Sequence, residues 1–212
     1  MQLVITCNGD HINTHYATLG KCNDRLSEKI LESLRLAKAL KEEEFDFIFC
    51  SDFYRRTTAD FIVQELVHQH FQIIVDPNLR EKDADICNNL TKENLLKQEK
   101  TIESNNTEIL NRLFIKQDSI GGLQNTSESQ NQVLSRVQTF LHDLTHQYPS
   151  TAKVLVVGSP IVNSYLITLL LKEDSMCAVT TPCSISRFQR LNERWIQESF
   201  NERQHLYGPN SF

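Results

Sequence analysis

The chain has 212 residues, 40% of them hydrophobic, and carries 22 basic against 27 acidic side chains for a formal net charge of −5. That length and apolar share suit one globular domain with a substantial core. The mild acidic excess, with no long basic run, disfavours a general nucleic-acid binder or a ligand of anionic membranes. The opening MQLVITCNGD lacks the basic flank and apolar stretch of a secretory signal. The longest apolar stretch, around Tyr165 to Leu171, falls far short of the ~20 residues that a membrane helix needs. The expectation is a cytosolic or nuclear protein without a membrane span. Six cysteines (Cys7, Cys22, Cys50, Cys87, Cys177 and Cys183) form no CxxC pair. Such spacing without a secretory signal indicates reduced thiols, neither a disulfide frame nor a zinc site.

In chain order, residues 2–7 (QLVITC) are a short apolar run that ends in a polar loop, which predicts a buried strand. Over 28–43, Ile30, Leu31, Leu34, Ala37 and Leu40 recur at helical spacing, with Ser27 as a cap and Glu28 suited to the positive first turn. Residues 45–50 (FDFIFC) predict a second strand, 56–70 a second helix on Ala59, Ile62, Val63, Leu66 and Val67, and 72–75 (QIIV) a third strand stopped at Asp76-Pro77. Residues 83–126 are polar and rich in Asn, Lys, Glu and Gln. Helical stretches are expected there around 92–116, anchored on Leu110, Leu113 and Phe114, before a turn at Gly121-Gly122. Its apolar content is too thin for a core of its own, so it reads as an insertion in a single domain spanning 1–212.

Helical periodicity returns over 128–146 with Val133, Leu134, Val137, Phe140, Leu141 and Leu144. Residues 153–157 (KVLVV) are the strongest strand signal, followed by a loop at 158–160 and an apolar helix over 161–172. Residues 183–200 hold two further strands, the second carrying Trp195 and Ile196. Alternating strands and helices favour an α/β fold with a mainly parallel sheet covered on both faces. Ligand sites in such sheets gather beyond the carboxyl ends of the strands. The loops at 6–13, 51–56, 79–81 and 158–160 are expected to share that end.

Those loops carry a family pattern. Asn13, Gly20 and Leu26-Ser27-Glu28 are spaced as in an Arg-His-Gly-Glu-Thr-x-x-Asn opening, which aligns Thr6 with the arginine, Cys7 with the histidine and Asn8 with the glycine. Cys50-Ser51-Asp52-Phe53-Tyr54-Arg55 resembles a Ser-Ser-Asp-x-x-Arg element, and Leu79-Arg80-Glu81 a Leu-Arg-Glu element. Glu128-Ser129 through Val133, Arg136 and Val137 match a helix start, and Val154 to Pro160 match a strand followed by Ser-His-Gly. Ser184-Ile185-Ser186 and Asn201 to His205-Leu206 match the end of the pattern. Seven weak matches in order over nearly the whole chain resemble the histidine phosphatase superfamily, which is phosphoglycerate-mutase-like, with the fructose-bisphosphatase-like branch nearest. The resemblance implies a three-layer α/β sandwich in which helices flank a mainly parallel sheet.

It also implies phosphoryl transfer through a phosphohistidine, with no cofactor and no metal. One histidine attacks phosphorus, a second histidine and two arginines cradle its oxygens, and a glutamate protonates the leaving group. That chemistry needs a neutral imidazole and fixed positive charge. Here Arg55 and Glu81 stand at an arginine and the acid position, while Thr6, Cys7 and Ser159 replace the other arginine, the nucleophile and the second histidine. Thr6, Asn13 and Arg55 are the candidate substrate-binding positions. Asp10 adds a carboxylate near the phosphate position. The family-equivalent catalytic set is thus Cys7, Arg55, Glu81 and Ser159, and the substitutions describe a catalytically degenerate member, a pseudophosphatase that binds or scaffolds.

Each residue has a plainer reading. A thiolate at Cys7 attacking phosphorus would want an arginine six residues on, where Asn13 stands; a buried inert thiol is the simpler account. Arg55 either holds a ligand or pairs with Glu81 or Asp52. Gly158-Ser159-Pro160 either receives an anion on backbone amides or only caps a helix. His11 and His15 are loop histidines or displaced catalytic ones, and His68 and His70 lack an HExxH pattern. His142 and His146 could bind a metal, but without a third ligand in view solvated histidines are the simpler account. The alternatives to a binding protein are a divergent phosphomonoesterase or phosphomutase on a small phosphate ester, or a non-catalytic phospho-ligand sensor. The partner is then an unidentified protein, met through 83–126 if that insertion is more than a spacer, or a small phosphorylated ligand.

Overall fold

A computed structural model describes residues 1–9, 23–51, 56–66, 70–81, 128–172 and 179–207. Asp10, His11, Asn13, His15, Gly20, Asp52, Arg55, His68, Cys22, Cys87, Cys177 and the 83–126 insertion lie outside them. The chain divides into two compact units, one of Met1–Glu81 with Val133–Phe212 and one of Lys82–Gln132.

In the first unit, four strands run parallel: β1 (Gln2–Cys7), β2 (Phe47–Cys50), β3 (Gln72–Val75) and β4 (Lys153–Gly158). The sheet order is β3-β2-β4-β1-β5-β6. Here β5 (Ile185–Leu191) is antiparallel to β1, and β6 (Arg194–Glu202) is antiparallel to β5. The sheet is therefore mixed, parallel across β3, β2, β4 and β1 and antiparallel at one side. The β5–β6 pairing has a local reason: Asn192 and Glu193 form a two-residue turn with φ of 47° and 63°, the backbone that a type I′ hairpin demands.

Period-2 alternation sorts the strands onto two cores. Leu3, Ile5, Phe49, Val154, Val156 and Phe188 pack against α3 (Gln130–Gln147) and α4 (Pro160–Leu171). Val4, Ile48, Leu155, Val157 and Ile185 pack against α1 (Asn23–Leu40) and α2 (Arg56–Glu65). The result is helix on sheet on helix, the α/β architecture expected. On one side Phe49 meets Phe140 and Tyr148 edge-on, with centroids 5.3 and 5.2 Å away.

Several boundaries differ from the sequence reading. α1 begins at Asn23, so Ser27 is inside the helix and does not cap it. Over residues 30–40 its buried positions are Ser33, Leu36, Ala37 and Leu40, while Ile30 and Leu31 are exposed. The stripe is set by what α1 must touch, and a hydroxyl suits the polar end of the sheet better than isoleucine. α3 starts with a reciprocal cap: Ser129 N donates to Gln132 Oε1 at 2.7 Å, and Gln132 N to Ser129 Oγ at 3.3 Å. α4 is buried around most of its surface. Ser164 and Thr168 avoid unpaired hydroxyls by donating to the carbonyls of Pro160 and Ser164, at 2.7 and 2.8 Å. Among the described residues no helix is long and apolar enough to cross a membrane.

Candidate functional site

Parallel pairing brings the carboxyl ends of β1, β2, β3 and β4 together. Cys7 lies opposite Gly158, Cys50 opposite Val157 and Val75 opposite Cys50. Cys7 and the Gly158-Ser159 step are therefore neighbours, although 151 positions separate Cys7 from Gly158 in the chain. Asn8 N continues the ladder by donating to Gly158 O at 2.8 Å. On its other side Cys7 N donates to Ser184 O at 3.3 Å, and Cys183 N to Cys7 O at 3.0 Å. Cys7, Cys50 and Cys183 are buried and form no disulfide.

Three of the family-equivalent positions, Thr6, Cys7 and Ser159, are sealed. Thr6 and Cys7 are 0% exposed and Ser159 is 1% exposed. Thr6 Oγ1 donates to Val156 O at 3.4 Å, so that hydroxyl is turned into the sheet. Ser159 is the N-cap of α4 with extended backbone, followed by Pro160, and its side chain makes no capping bond. Its Oγ is buried without a partner. Proline at the first helical position is pre-set for the helix and has no amide to satisfy. Glu81 is half-buried, beyond the short helical turn Pro77–Leu79 that follows β3. Asp76 Oδ1 caps that turn by accepting from Asn78 N at 2.8 Å, and Arg136 Nη1 donates to Asn78 O at 2.6 Å. With Leu79 buried in the core, the loop carrying Arg80 and Glu81 is pinned at the same end of the sheet. Asn13 and Arg55 lie outside the described residues, so the set joined by described geometry is Thr6, Cys7 and Ser159, with Glu81 following β3, which β2 and β4 separate from β1.

Sequence reasoning singled out neither Asn163 nor Ser33 among the polar residues that hold this end, while His205 stood in the pattern at the end of the chain. Asn163, fully buried one turn into α4, donates through Nδ2 to Thr6 O at 3.0 Å, tying the helix to β1. A side chain on Gly158 would collide with Asn163 Oδ1 and come within 3.0 Å of its Cγ, so the strand must end in glycine for this contact to exist. Gly9 N donates to Thr58 Oγ1 at 3.0 Å. Ser33 Oγ lies 3.5 Å from Thr58 Oγ1 and 3.7 Å from Cys183 Sγ. His205 lies with Nε2 2.9 Å from Cys183 O, and burial pushes its imidazole below the ordinary value of 6.5. A carbonyl only accepts, so Nε2 carries the proton of the neutral ring. The available signal was an asparagine inside the apolar run of α4; the others are ordinary Ser and Thr until folding gathers them.

Buried oxygens at Asn8 Oδ1, Ser159 Oγ, Asn163 Oδ1, Thr180 Oγ1 and Ser184 Oγ have no hydrogen-bond partner. Four of these sit on the adjoining ends of β1, β4 with α4, and β5. Unpaired buried oxygens are uncommon in folded proteins and cost on the order of 1–3 kcal/mol each. Chemically the part around Thr6, Cys7 and Ser159 is built of hydroxyls, amides and thiols, with Glu81 the described carboxylate at that end of the sheet. It can exchange hydrogen bonds but supplies no imidazole at Cys7 or Ser159.

The family model described as the histidine phosphatase superfamily (branch 1) matches residues 20–203. Among solved structures, Bacillus stearothermophilus YhfR aligns with a TM-score of 0.70 at 16% identity, covering 97% of this chain and 98% of that one. The alpha-ribazole phosphatase from Shigella flexneri gives 0.67 at 17% identity over 96% and 97%. A phosphoglycerate mutase from Bacillus anthracis gives 0.68 at 16% identity over 97% and 95%. No curated protein matches the sequence. At these identities the solved structures establish a shared fold.

Proposed function

Because the chain belongs to the histidine phosphatase superfamily (branch 1), we propose that it is a member whose phosphoryl-transfer centre no longer turns over, and that it works as a binding or scaffold protein. The observation that carries this reading is the pairing of Cys7 with Gly158 beside Ser159, with both Cys7 and Ser159 sealed from solvent. Attack on phosphorus needs a nucleophile that the ester can reach, activated by an adjacent base or a lowered pKa. The Cys7 thiol has no exposure through which a phosphate ester could reach it. The second imidazole is replaced by a buried hydroxyl, and Thr6 spends its hydroxyl on Val156 O. Loss of one preorganised donor costs about 10²–10³ in kcat, and loss of the nucleophile removes the covalent route.

A panel of phosphomonoesters and phosphoglycerates tests the reading. The wild-type chain and Cys7→Ala are expected to hydrolyse them equally, at the uncatalysed rate. Turnover that falls on Glu81→Ala, or a phosphoenzyme trapped by acid or alkaline quench, would instead make the chain a divergent phosphomonoesterase or phosphomutase.

A further inference from the structure

The mixed sheet ends in β3 on one side and β6 on the other, and among the described residues each is paired along one side only. β6 is defended as exposed edges usually are. Arg194, Glu198 and Glu202 put charge along it, and its register against β5 shifts twice. β3 has neither device. Its sequence, QIIV, holds no charge and no proline, and its register against β2 runs unbroken from Gln72 to Val75. Ile73 and Val75 are 47% and 38% exposed. A regular, uncharged, apolar edge is a template for another strand.

Backbone parity decides which groups this edge offers. Gln72 N donates to Asp46 O at 3.0 Å and Asp76 N to Cys50 O at 2.9 Å, both towards β2. The amide and carbonyl of one strand residue point the same way and successive residues alternate, so Ile73 and Val75 turn theirs outward. Ile73 and Val75 lie opposite Ile48 and Cys50, on the sheet face of α1 and α2. Asp76 is still extended, with φ −119° and ψ 118°, so the edge runs from Gln72 to Asp76 with Ile74 at its centre. About that centre it is self-complementary. A two-fold axis through Ile74, perpendicular to the sheet, sets Ile73 opposite the Val75 of a second copy, where outward amides meet outward carbonyls. Ile74 then meets its own symmetry mate on the other face, and the Gln72 amide faces an Asp76 carboxylate. A slip of one residue would set outward groups against inward ones.

We propose that the β3 edge is a homodimer contact in which two copies pair antiparallel about Ile74 and join their sheets into one. A contact of this two-fold kind closes on itself, so it makes a dimer and no larger assembly. The paired segment is short, which sets the association at the weak end of protein interfaces. Because the paired strands run in opposite directions, the Cys7 ends of the two sheets point away from each other. The contact is independent of whether that cleft turns over.

Sedimentation velocity of the full chain over a concentration series tests it. The wild type should pass reversibly from monomer to dimer as concentration rises. Ile73→Lys and Val75→Lys each enter the symmetric pairing twice, and should raise the dissociation constant by at least about tenfold without changing the circular dichroism. Ile196→Lys, on the charged edge, should leave it unchanged. On mild oxidation Ile74→Cys should give a disulfide-linked dimer above the wild-type background and Gln72→Cys should not, because only residue 74 meets itself on the axis. A wild type that stays monomeric at every concentration overturns the proposal, as does a dimer indifferent to both lysine substitutions. A dimer lost on Ile196→Lys and kept on Ile73→Lys puts the contact on β6 and equally overturns it. Failure of the Ile74→Cys cross-link removes the axis on which the pairing rests.

Discussion

The two ends of the parallel strands are built on opposite principles. Around the amino ends of β2 and β4 the chain concentrates charge and pairs it. Glu43 bridges Lys153 at 3.0 Å and Arg187 at 2.7 Å, Arg187 also reaches Glu202 at 2.8 Å, and Asp46 accepts from Lys153 N at 2.8 Å. A cavity of about 150 Å³ lies here, lined by Glu43, Lys153, Arg187 and Glu198 among others, and both of its cations are already matched by carboxylates. At the carboxyl ends of β1 and β4 the described side chains are uncharged, buried and incompletely bonded. Five oxygens there and nearby lack partners, while Asn163, Thr58 and Ser33 bind backbone or one another. One end is finished as structure. The other retains a cost of the kind that proteins carry at sites of function.

Three substitutions sharpen or break this contrast. The largest effect is expected for Gly158→Ala, whose Cβ collides with the Asn163 amide and loosens its bond to Thr6 O. Overpacking of that kind costs about 3 kcal/mol, a fall in Tm of roughly 6–12 °C for a chain of this size. A Tm within 2 °C of wild type would mean that Asn163 is not the clamp. Glu43→Gln comes next. Glu43 is a fifth exposed and serves two cations, so its loss should cost about 1 kcal/mol, read by urea denaturation and shrinking as salt is raised. No difference at low salt would remove the charged end as a stabilising feature. The smallest effect, and the most diagnostic, belongs to Ser159→Ala. A helix N-cap serine normally contributes ~1 kcal/mol, but this one makes no capping bond and its hydroxyl is unpaired. Alanine should therefore be neutral or stabilise by up to about 1 kcal/mol. A loss of that size would show that the hydroxyl has found a partner in solution.

Most of the fold was legible because each element buries a face in its own period. KVLVV and QLVITC read as strands, and the two strands of 183–200 are there, as are the helices centred on Leu36, Ile62, Phe140 and Leu166. The site was legible only as a set of aligned positions. That Cys7 and Ser159 adjoin follows from parallel pairing of β1 with β4, which no local pattern announces. Asn163 on Thr6 and Ser33 beside Cys183 join residues 157 and 150 positions apart. Exposure was equally hidden: Ile30 and Leu31 fit the helical stripe and still face solvent, because α1 turns Ser33 and Leu36 inward instead.

By itself, then, the amino-acid order determined the class of fold, the succession of strands and helices, and the absence of histidine at positions 7 and 159, since these depend on periodicity and on residue identity. Only the tertiary structure decided that Thr6 and Ser159 are closed to solvent beside Cys7 and that β5 runs against β1. Those properties arise from contacts between distant segments, and burial and hydrogen bonding have no value until the segments meet.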